Sequence, residues 1–296
     1  MKPQCMQRRN FLKLSAAAAV TPEILNRFAA TADAAAERKL LKGVIINMLP
    51  KNLSDKEKFQ VAKRCGFEGI EARPLRDLNA AKEQAKLARE AGVPIHSVLH
   101  GWWPPFTDTT PSVVQKSIDA MAHSLRCARA MGASAVLLVP TKVTDNFRYA
   151  DAYKRSQDYV RKLIPVAKET GVSIAVENVW NKFLLSPLEF ARYIDECESP
   201  WVRAYFDVGN VIIYGFSQDW IRTLGKRIVK IHLKDFKRSG YQWKNLLEGD
   251  VNWPEVRKAL DEINYKGYLT AELGAGTEEK LTDIAQRMDR IIAGKF

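Results

Sequence analysis

The chain has 296 residues, of which 46% are hydrophobic and 27% are charged. These proportions exclude a disordered, collagen-like or coiled-coil chain, and no window reaches the roughly eighteen consecutive apolar residues of a membrane-spanning helix. The formal net charge of +12 is spread along the chain without a zinc-finger, helix-turn-helix or RNA-binding signature, so no nucleic-acid partner is expected.

The first 36 residues have the pattern of an export signal. Arg8 and Arg9 precede Asn-Phe-Leu-Lys, which closely resembles the twin-arginine signal, and an alanine-rich stretch with small residues of the A-x-A type follows. An ordinary amphipathic first helix is the alternative, and the paired arginines disfavour it. We therefore expect residues 1–36 to be an export signal and linker. Residues 37–296 would form a single catalytic domain that is periplasmic and free of the membrane.

From residue 43 onward, short apolar runs alternate with longer amphipathic segments. The eight runs are GVIINML (43–49), GIEARP (69–74), PIHSVLHG (94–101), AVLLVPT (135–141), SIAVENVW (173–180), VRAYFDVGN (202–210), IVKIHLKDF (228–236) and YLTAELG (268–274). Several are continuously apolar, as expected of strands that are buried on both faces. The intervening segments have helical periodicity. Ser54 and Ser186 stand as helix N-caps, and four glycines stand where helices end: Gly66, Gly92, Gly132 and Gly171.

This alternation predicts an α/β fold, a (β/α)8 barrel. Eight strand–helix units over about 260 residues match the count and size of such a barrel. A doubly wound open sheet is the alternative, but it usually has fewer strands and opens with a glycine-rich phosphate loop. No such loop follows the first run, and the Gly-x-Gly at residues 274–276 comes after the last one, where it is typical of a turn.

Strong metal-ligand side chains stand at the ends of the last four runs. They are Glu177, Asp207, His232 and Glu272, at spacings of 30, 25 and 40 residues. Because active sites of parallel barrels lie at the carboxyl ends of the strands, these side chains should converge. Three carboxylates in an apolar barrel mouth need a counter-charge, which a divalent cation supplies. Oxygen-rich ligation with one imidazole favours Mn²⁺, with Mg²⁺, Co²⁺ or Zn²⁺ as alternatives. Local salt bridging of each residue is the competing interpretation.

Several segments resemble a known family. They are Glu-Asn-Val-Trp (177–180), Phe-Asp-Val-Gly-Asn (206–210), His-Leu-Lys-Asp-Phe-Lys-Arg (232–238), Gly-Asp-Val-Asn-Trp (249–253) and Ala-Glu-Leu (271–273). From about residue 42 to the C-terminus, the chain resembles the xylose isomerase-like sugar isomerase and epimerase superfamily. It is especially similar to ketose 3-epimerases such as D-tagatose 3-epimerase.

The resemblance implies roles for individual residues. Glu177 and Glu272 would be both metal ligands and acid/base groups, Asp207 and His232 would complete the metal shell, and Arg238 would contact the substrate. The epimerases usually carry a substrate-binding histidine three residues after the aspartate, where this chain has Asn210. An amide can hydrogen-bond a sugar hydroxyl, but it cannot carry a proton in the same way.

Other polar and aromatic residues lie at or just beyond the predicted strand ends. Glu71, His100, Trp102 and Trp180 are expected to contact the substrate, because aromatic faces can stack on a sugar ring. A structural hydrogen-bond role is the alternative for Glu71 and His100. Capping of the barrel mouth is the alternative for the tryptophans.

The reaction implied by the resemblance is proton abstraction next to a carbonyl. A bound cation would stabilise the enediolate, and two carboxylates on opposite faces would invert the carbon. Use of one face would instead give an aldose–ketose isomerase. The partner is a small-molecule sugar, either a free sugar or an oxidised glycoside if the chain is exported. A homo-oligomer is left open.

Three other functions are weighed against this one. A lyase would expel a β-hydroxyl from the same enediolate, as in inosose and dehydroshikimate dehydratases, and it is the main alternative. The endonuclease branch of the fold needs a histidine-rich trinuclear zinc site, and this chain has only four histidines. A sugar-binding protein without chemistry is disfavoured because both Glu177 and Glu272 are present.

Overall fold

The structure, a computed structural model, describes residues 40–101 and 108–296. The predicted export signal, residues 1–36, and Trp102 lie outside these residues. Eight parallel strands close into a barrel in the order β1-β10-β7-β6-β5-β4-β3-β2. They are β1 (Leu40–Ile45), β2 (Gly69–Ala72), β3 (Ile95–Gly101), β4 (Ala135–Leu138), β5 (Ser173–Glu177), β6 (Val202–Asp207), β7 (Ile228–Leu233) and β10 (Gly267–Ala271).

Helices alternate with these strands along the chain. Those in the described part of the chain are α1 (Asp55–Arg64), α2 (Leu78–Glu90), α3 (Pro111–Met131), α4 (Tyr149–Thr170), α5 (Pro187–Asp195), α6 (Ser217–Leu224), α7 (Trp253–Glu262) and α8 (Glu278–Ile292). The predicted (β/α)8 barrel is confirmed. None of these helices is long and apolar enough to span a membrane.

The predicted helix ends are also confirmed. The Ser54 hydroxyl accepts a hydrogen bond from the Glu57 N–H, and the Glu57 carboxylate accepts one from the Ser54 N–H, which makes a capping box at the start of α1. Ser186 caps α5 in the same sense. Gly132 and Gly171 end α3 and α4 with positive φ angles of 80° and 67°, a conformation that glycine adopts at little cost.

Alternate residues of a barrel strand face the barrel interior and the surrounding helices. Strand β4 shows this clearly, because Ala135 and Leu137 belong to one buried apolar cluster whereas Val136 and Leu138 belong to another, larger one. The larger cluster contains side chains of both the helices and the strands, including Phe59 of α1. Barrel closure therefore buries apolar side chains on both sides of each strand and brings all the strand ends to one mouth.

The sequence did not predict a small hairpin between β7 and α7. It consists of β8 (Asp235–Lys237) paired antiparallel with β9 (Gln242–Lys244). The buried Asp235 carboxylate accepts hydrogen bonds from the N–H groups of Phe236 and Val251 and from the indole N–H of Trp253. Asp235 thus ties the hairpin to the start of α7. A Cβ at Gly249 would overlap this carboxylate, which explains the glycine there.

Replacing Asp235 with alanine should lower the free energy of unfolding by about 3 kcal/mol, because three donors lose their acceptor inside the protein. Urea denaturation would measure the change. Asp158 lies on the surface of α4, and its one ion pair within residues 40–101 and 108–296 is with Arg161, so Asp158→Ala should cost less than about 1 kcal/mol. Equal losses in the two variants would contradict a special role for Asp235.

Candidate functional site

Four side chains meet at the carboxyl end of the barrel. Glu177 ends β5 and Asp207 ends β6. His232 is the second-last residue of β7, and Glu272 directly follows β10. One ligand atom from each lies within 4.8 Å of the others. Glu177, Asp207 and His232 are buried, and Glu272 is partly exposed. The convergence predicted from the strand ends is therefore present in the structure.

The His232 imidazole is held between carboxylates on both of its sides. Its Nδ1 lies 2.8 Å from Glu177 Oε1 and 2.8 Å from Glu272 Oε2. Its Nε2 lies 2.6 Å from Glu71 Oε2, and Glu71 Oε1 accepts a hydrogen bond of 2.9 Å from the Ser97 hydroxyl. The contact of Glu71 with Nε2 fixes the orientation of the imidazole ring and turns Nδ1 toward the acidic cluster.

These contacts favour the structural alternative for Glu71, and its contact with substrate stays a prediction. The Glu71 side chain is 0% exposed, and both of its oxygens are engaged by Ser97 and His232. The contacts of His100 also favour its structural alternative, and its contact with substrate stays a prediction. His100 is buried, its Nδ1 lies 2.8 Å from the Ser124 hydroxyl of α3, and it does not line the cavity described below. For both residues the structural alternative describes the observed contacts.

Lys234 is a member of the site that the sequence interpretation missed. Its ammonium lies 2.9 Å from Glu272 Oε2 and 3.3 Å from Asp207 Oδ2. The available signal was its position two residues after His232, since alternate residues of an extended chain point to the same side. Lys234 therefore brings one positive charge to a cluster of three carboxylates.

Burial and the neighbouring positive charges shift the pKa values of the carboxyl groups in opposite directions. Burial raises the pKa of Glu177 and of Asp207 above the usual range. Burial also acts on Glu272, but the positive charges of His232 and Lys234 outweigh it and hold the pKa of Glu272 below the usual range. Burial lowers the pKa of Lys234, yet the charges of Asp207 and Glu272 outweigh it and keep this pKa above its usual value.

The donor set fits a divalent cation. Asp207 Oδ2 and Glu272 Oε2 are buried, and both lie against the Lys234 ammonium, at 3.3 and 2.9 Å. One ammonium does not balance three carboxylates, and unbalanced buried charges are costly unless a further cation binds them. Three carboxylates and one imidazole are ligands that Mn²⁺, Mg²⁺, Co²⁺ and Zn²⁺ all accept, so the donors support a metal site without identifying its metal.

Asparagine side chains join the two strand ends that carry Glu177 and Asp207. Asn178 donates from its amide to the Asp207 carbonyl, and its amide oxygen accepts from the Asp207 N–H, at 2.9 Å each. The Asn210 N–H donates to Asp207 Oδ1 at 2.7 Å, and its amide donates to the Asn178 carbonyl at 2.9 Å. Asn210 thus orients Asp207, and a substrate contact for Asn210 stays a prediction.

Trp180 and Arg238 lie beside the hairpin. The Trp180 ring stacks on Trp243, with centroids 4.8 Å apart, and Trp243 is 47% exposed. The Arg238 guanidinium lies over the Phe216 ring, and its Nε donates to the Ile212 carbonyl at 2.8 Å. Neither Trp180 nor Arg238 lines the cavity next to the acidic cluster, so their substrate contacts also stay predictions.

A cavity of about 310 Å³ opens over the cluster. Glu177 and Glu272 line it together with Asn47 and Arg73. Its apolar wall consists of Ile45, Met48, Leu99, Leu137, Val139 and Leu273. A cavity with a mostly apolar wall and a few convergent polar groups is typical of a small-molecule site.

Comparisons with known proteins agree with this geometry. A family model described as xylose isomerase-like TIM barrel matches residues 59–292. SgbU of Haemophilus influenzae, a protein named for L-ribulose-5-phosphate 3-epimerase activity, is 26% identical over 271 residues, which are 84% of this chain and 94% of SgbU.

Two solved structures share the fold. The 3-keto-D-glucoside 4-epimerase YcjR from E. coli has a TM-score of 0.74 at 18% identity, covering 86% of this chain and 100% of YcjR. The IOLI protein, crystallised with a zinc atom, has a TM-score of 0.74 at 16% identity, covering 87% of this chain and 99% of IOLI. The family model spans most of this chain, and the chain therefore belongs to the xylose isomerase-like TIM barrel family.

Proposed function

We propose that this protein is a divalent-cation-dependent epimerase or isomerase that moves a proton on the carbon next to the carbonyl of a ketose or other keto sugar. The observation that carries the proposal is that Glu177 and Glu272 line one small-molecule cavity directly above a cluster fit for a metal. Two carboxylates facing the same space are the parts that proton transfer at one carbon requires.

Glu177, Asp207, His232 and Glu272 would hold the cation, and Mn²⁺ is the ion that we propose. A bound dication supplies Lewis-acid polarisation of the keto group and stabilises negative charge on the enediolate oxygens. Glu71 supports the site by keeping Nδ1 of His232 turned toward Glu177 and Glu272. Lys234 supplies the charge that a dication leaves unbalanced among three carboxylates.

The two glutamates carry the proton. One carboxylate takes the proton as the C–H bond breaks, and the electron pair passes into the enediolate. The other carboxyl group returns a proton to the opposite face of the same carbon, which inverts it without net oxidation or reduction. Return of the proton to the neighbouring carbon would give an isomerase instead. Similarity to SgbU and YcjR, whose names refer to a 3-epimerase and a 4-epimerase, favours epimerisation.

Solvent-deuterium exchange tests this function. The Mn²⁺-loaded protein is incubated in D₂O with a panel of ketoses and keto-glycosides, and the products are followed by NMR. We expect deuterium at the carbon next to the carbonyl together with a new epimer. A dehydrated product would indicate a lyase on the same site. Absence of exchange with every keto sugar would overturn the proposal.

A further inference from the structure

A second cavity adjoins the one above the metal cluster. It also has a volume of about 310 Å³, and Asn47 and Arg73 line both cavities. The second cavity is bounded by the segment that follows β1, by Arg73 after β2 and by side chains of α1 and α2. A substrate in the first cavity therefore has room to extend past Arg73.

This second cavity is strongly basic. Lys51, Lys58 and Arg73 line it. Within the described residues, neither Arg73 nor Lys51 makes an ion pair or a side-chain hydrogen bond. The Lys58 ammonium is only 3.9 Å from Asp55, and that carboxylate also accepts a 2.7 Å hydrogen bond from Gln84. One carboxylate thus faces three cations, and the cavity has excess positive charge.

Together the two cavities form a space that is acidic at one end and basic at the other. Glu177 and Glu272 lie at one end, and Arg73 lies between that end and the two lysines. An arginine guanidinium binds planar or tetrahedral anions through paired N–H donors, and lysines add charge to the same site. A neutral sugar would leave Arg73 and Lys51 without a counter-charge among the described residues.

We infer that the substrate carries an anionic group, a carboxylate or a phosphate, remote from its reacting carbon, and that Arg73 binds this group with help from Lys51 and Lys58. The inference rests on the proposed function for the reacting end of the substrate. It also gives the substrate one orientation, because its keto end must face the glutamates when its anionic end meets Arg73.

Kinetics on matched substrates test the inference. The substrates are a neutral ketohexose, the same ketohexose with a terminal phosphate, and the corresponding ketohexuronate, so the last two separate the two sources of the anion. We expect at least one anionic form to have a KM about tenfold or more below that of the neutral sugar. Arg73→Gln should raise the KM for that form by about 10- to 100-fold, and much less for the neutral sugar.

The control variant is Arg76→Gln. Arg76 is an exposed arginine, three residues further along the chain, that lines neither cavity. The KM values of Arg76→Gln should therefore match those of the wild-type protein. Two results would overturn the inference while leaving the proposed function intact. One is equal KM values for the neutral and anionic sugars, and the other is an Arg73→Gln variant with the same KM values as the wild type.

A binding measurement distinguishes failure of the anion site from failure of the proposed function. Calorimetric titration with inorganic phosphate and with acetate should show binding to the wild-type protein and to Arg76→Gln, and at least tenfold weaker binding to Arg73→Gln. This readout needs no turnover. If no keto sugar exchanges its proton, the proposed function fails, whereas the titration still decides whether the anion site exists. Equal anion binding by all three proteins would overturn the site.

Discussion

Replacing either Glu177 or Glu272 with glutamine is expected to lower the rate of epimer formation by about 10³-fold, within the range that general acid–base groups contribute. Glutamine keeps the shape and one acceptor oxygen of glutamate, but its amide cannot take up or return a proton at neutral pH. Both glutamates are needed for inversion, so each single variant should lose it.

The products of the two variants give a sharper test. If one glutamate still works on its own face, a variant can exchange the substrate proton with D₂O while forming no epimer. Exchange and epimer yield should therefore separate in at least one variant. Glu169→Gln is the matched control, because Glu169 is exposed on α4, and it should behave as the wild type. Epimer formation near the wild-type rate in both site variants would contradict the assigned roles.

Loss of the divalent cation is expected to abolish activity. Dialysis against EDTA should remove turnover, and added Mn²⁺ should restore it. Asp207→Asn should weaken Mn²⁺ binding by at least about 100-fold, since loss of a ligand should cost more than the 10- to 100-fold typical of residues behind the ligands. Asp207 is suited to this test because it is fully buried and one of its oxygens is within 4.8 Å of ligand atoms of the other three side chains.

Metal affinity and stability can be measured apart from turnover. Calorimetric titration gives the Mn²⁺ dissociation constant, and at 100 times that constant bound metal should stabilise the fold by about 2.7 kcal/mol. Asp158→Asn, on the surface of α4, should bind Mn²⁺ as the wild type does. Full activity after exhaustive chelation, or unchanged Mn²⁺ affinity in Asp207→Asn, would contradict a metal-dependent reaction.

The number of carboxylates at the site explains the presence of the Lys234 ammonium. A dication balances two of the three carboxylates Glu177, Asp207 and Glu272, and Lys234 balances the third. Balancing these three carboxylates with positive charges avoids much of the cost of burying unpaired ions. Lys234 also lies next to two prospective ligands, Asp207 and Glu272, and so keeps them close together.

The sequence by itself determined the architecture and the position of the site along the chain. Hydrophobic periodicity and the caps at Ser54 and Ser186 are local signals, so they could be read without tertiary information. The metal-ligand types at Glu177, Asp207, His232 and Glu272 could be read as well. Every parallel barrel brings its strand ends to one mouth, and strand-end position was therefore enough to predict that the four side chains meet.

Only the tertiary structure decided what each side chain contacts. Glu71 and His232 are separated by 161 residues, and their pairing depends on how the strands cross the barrel interior. The same is true of Lys234 between Asp207 and Glu272, of the hairpin that packs Trp243 on Trp180, and of the cavity that Arg73 shares with two lysines. Periodicity shows on which face of its strand a residue lies. Which residue of another strand it contacts depends on the register and closure of the barrel.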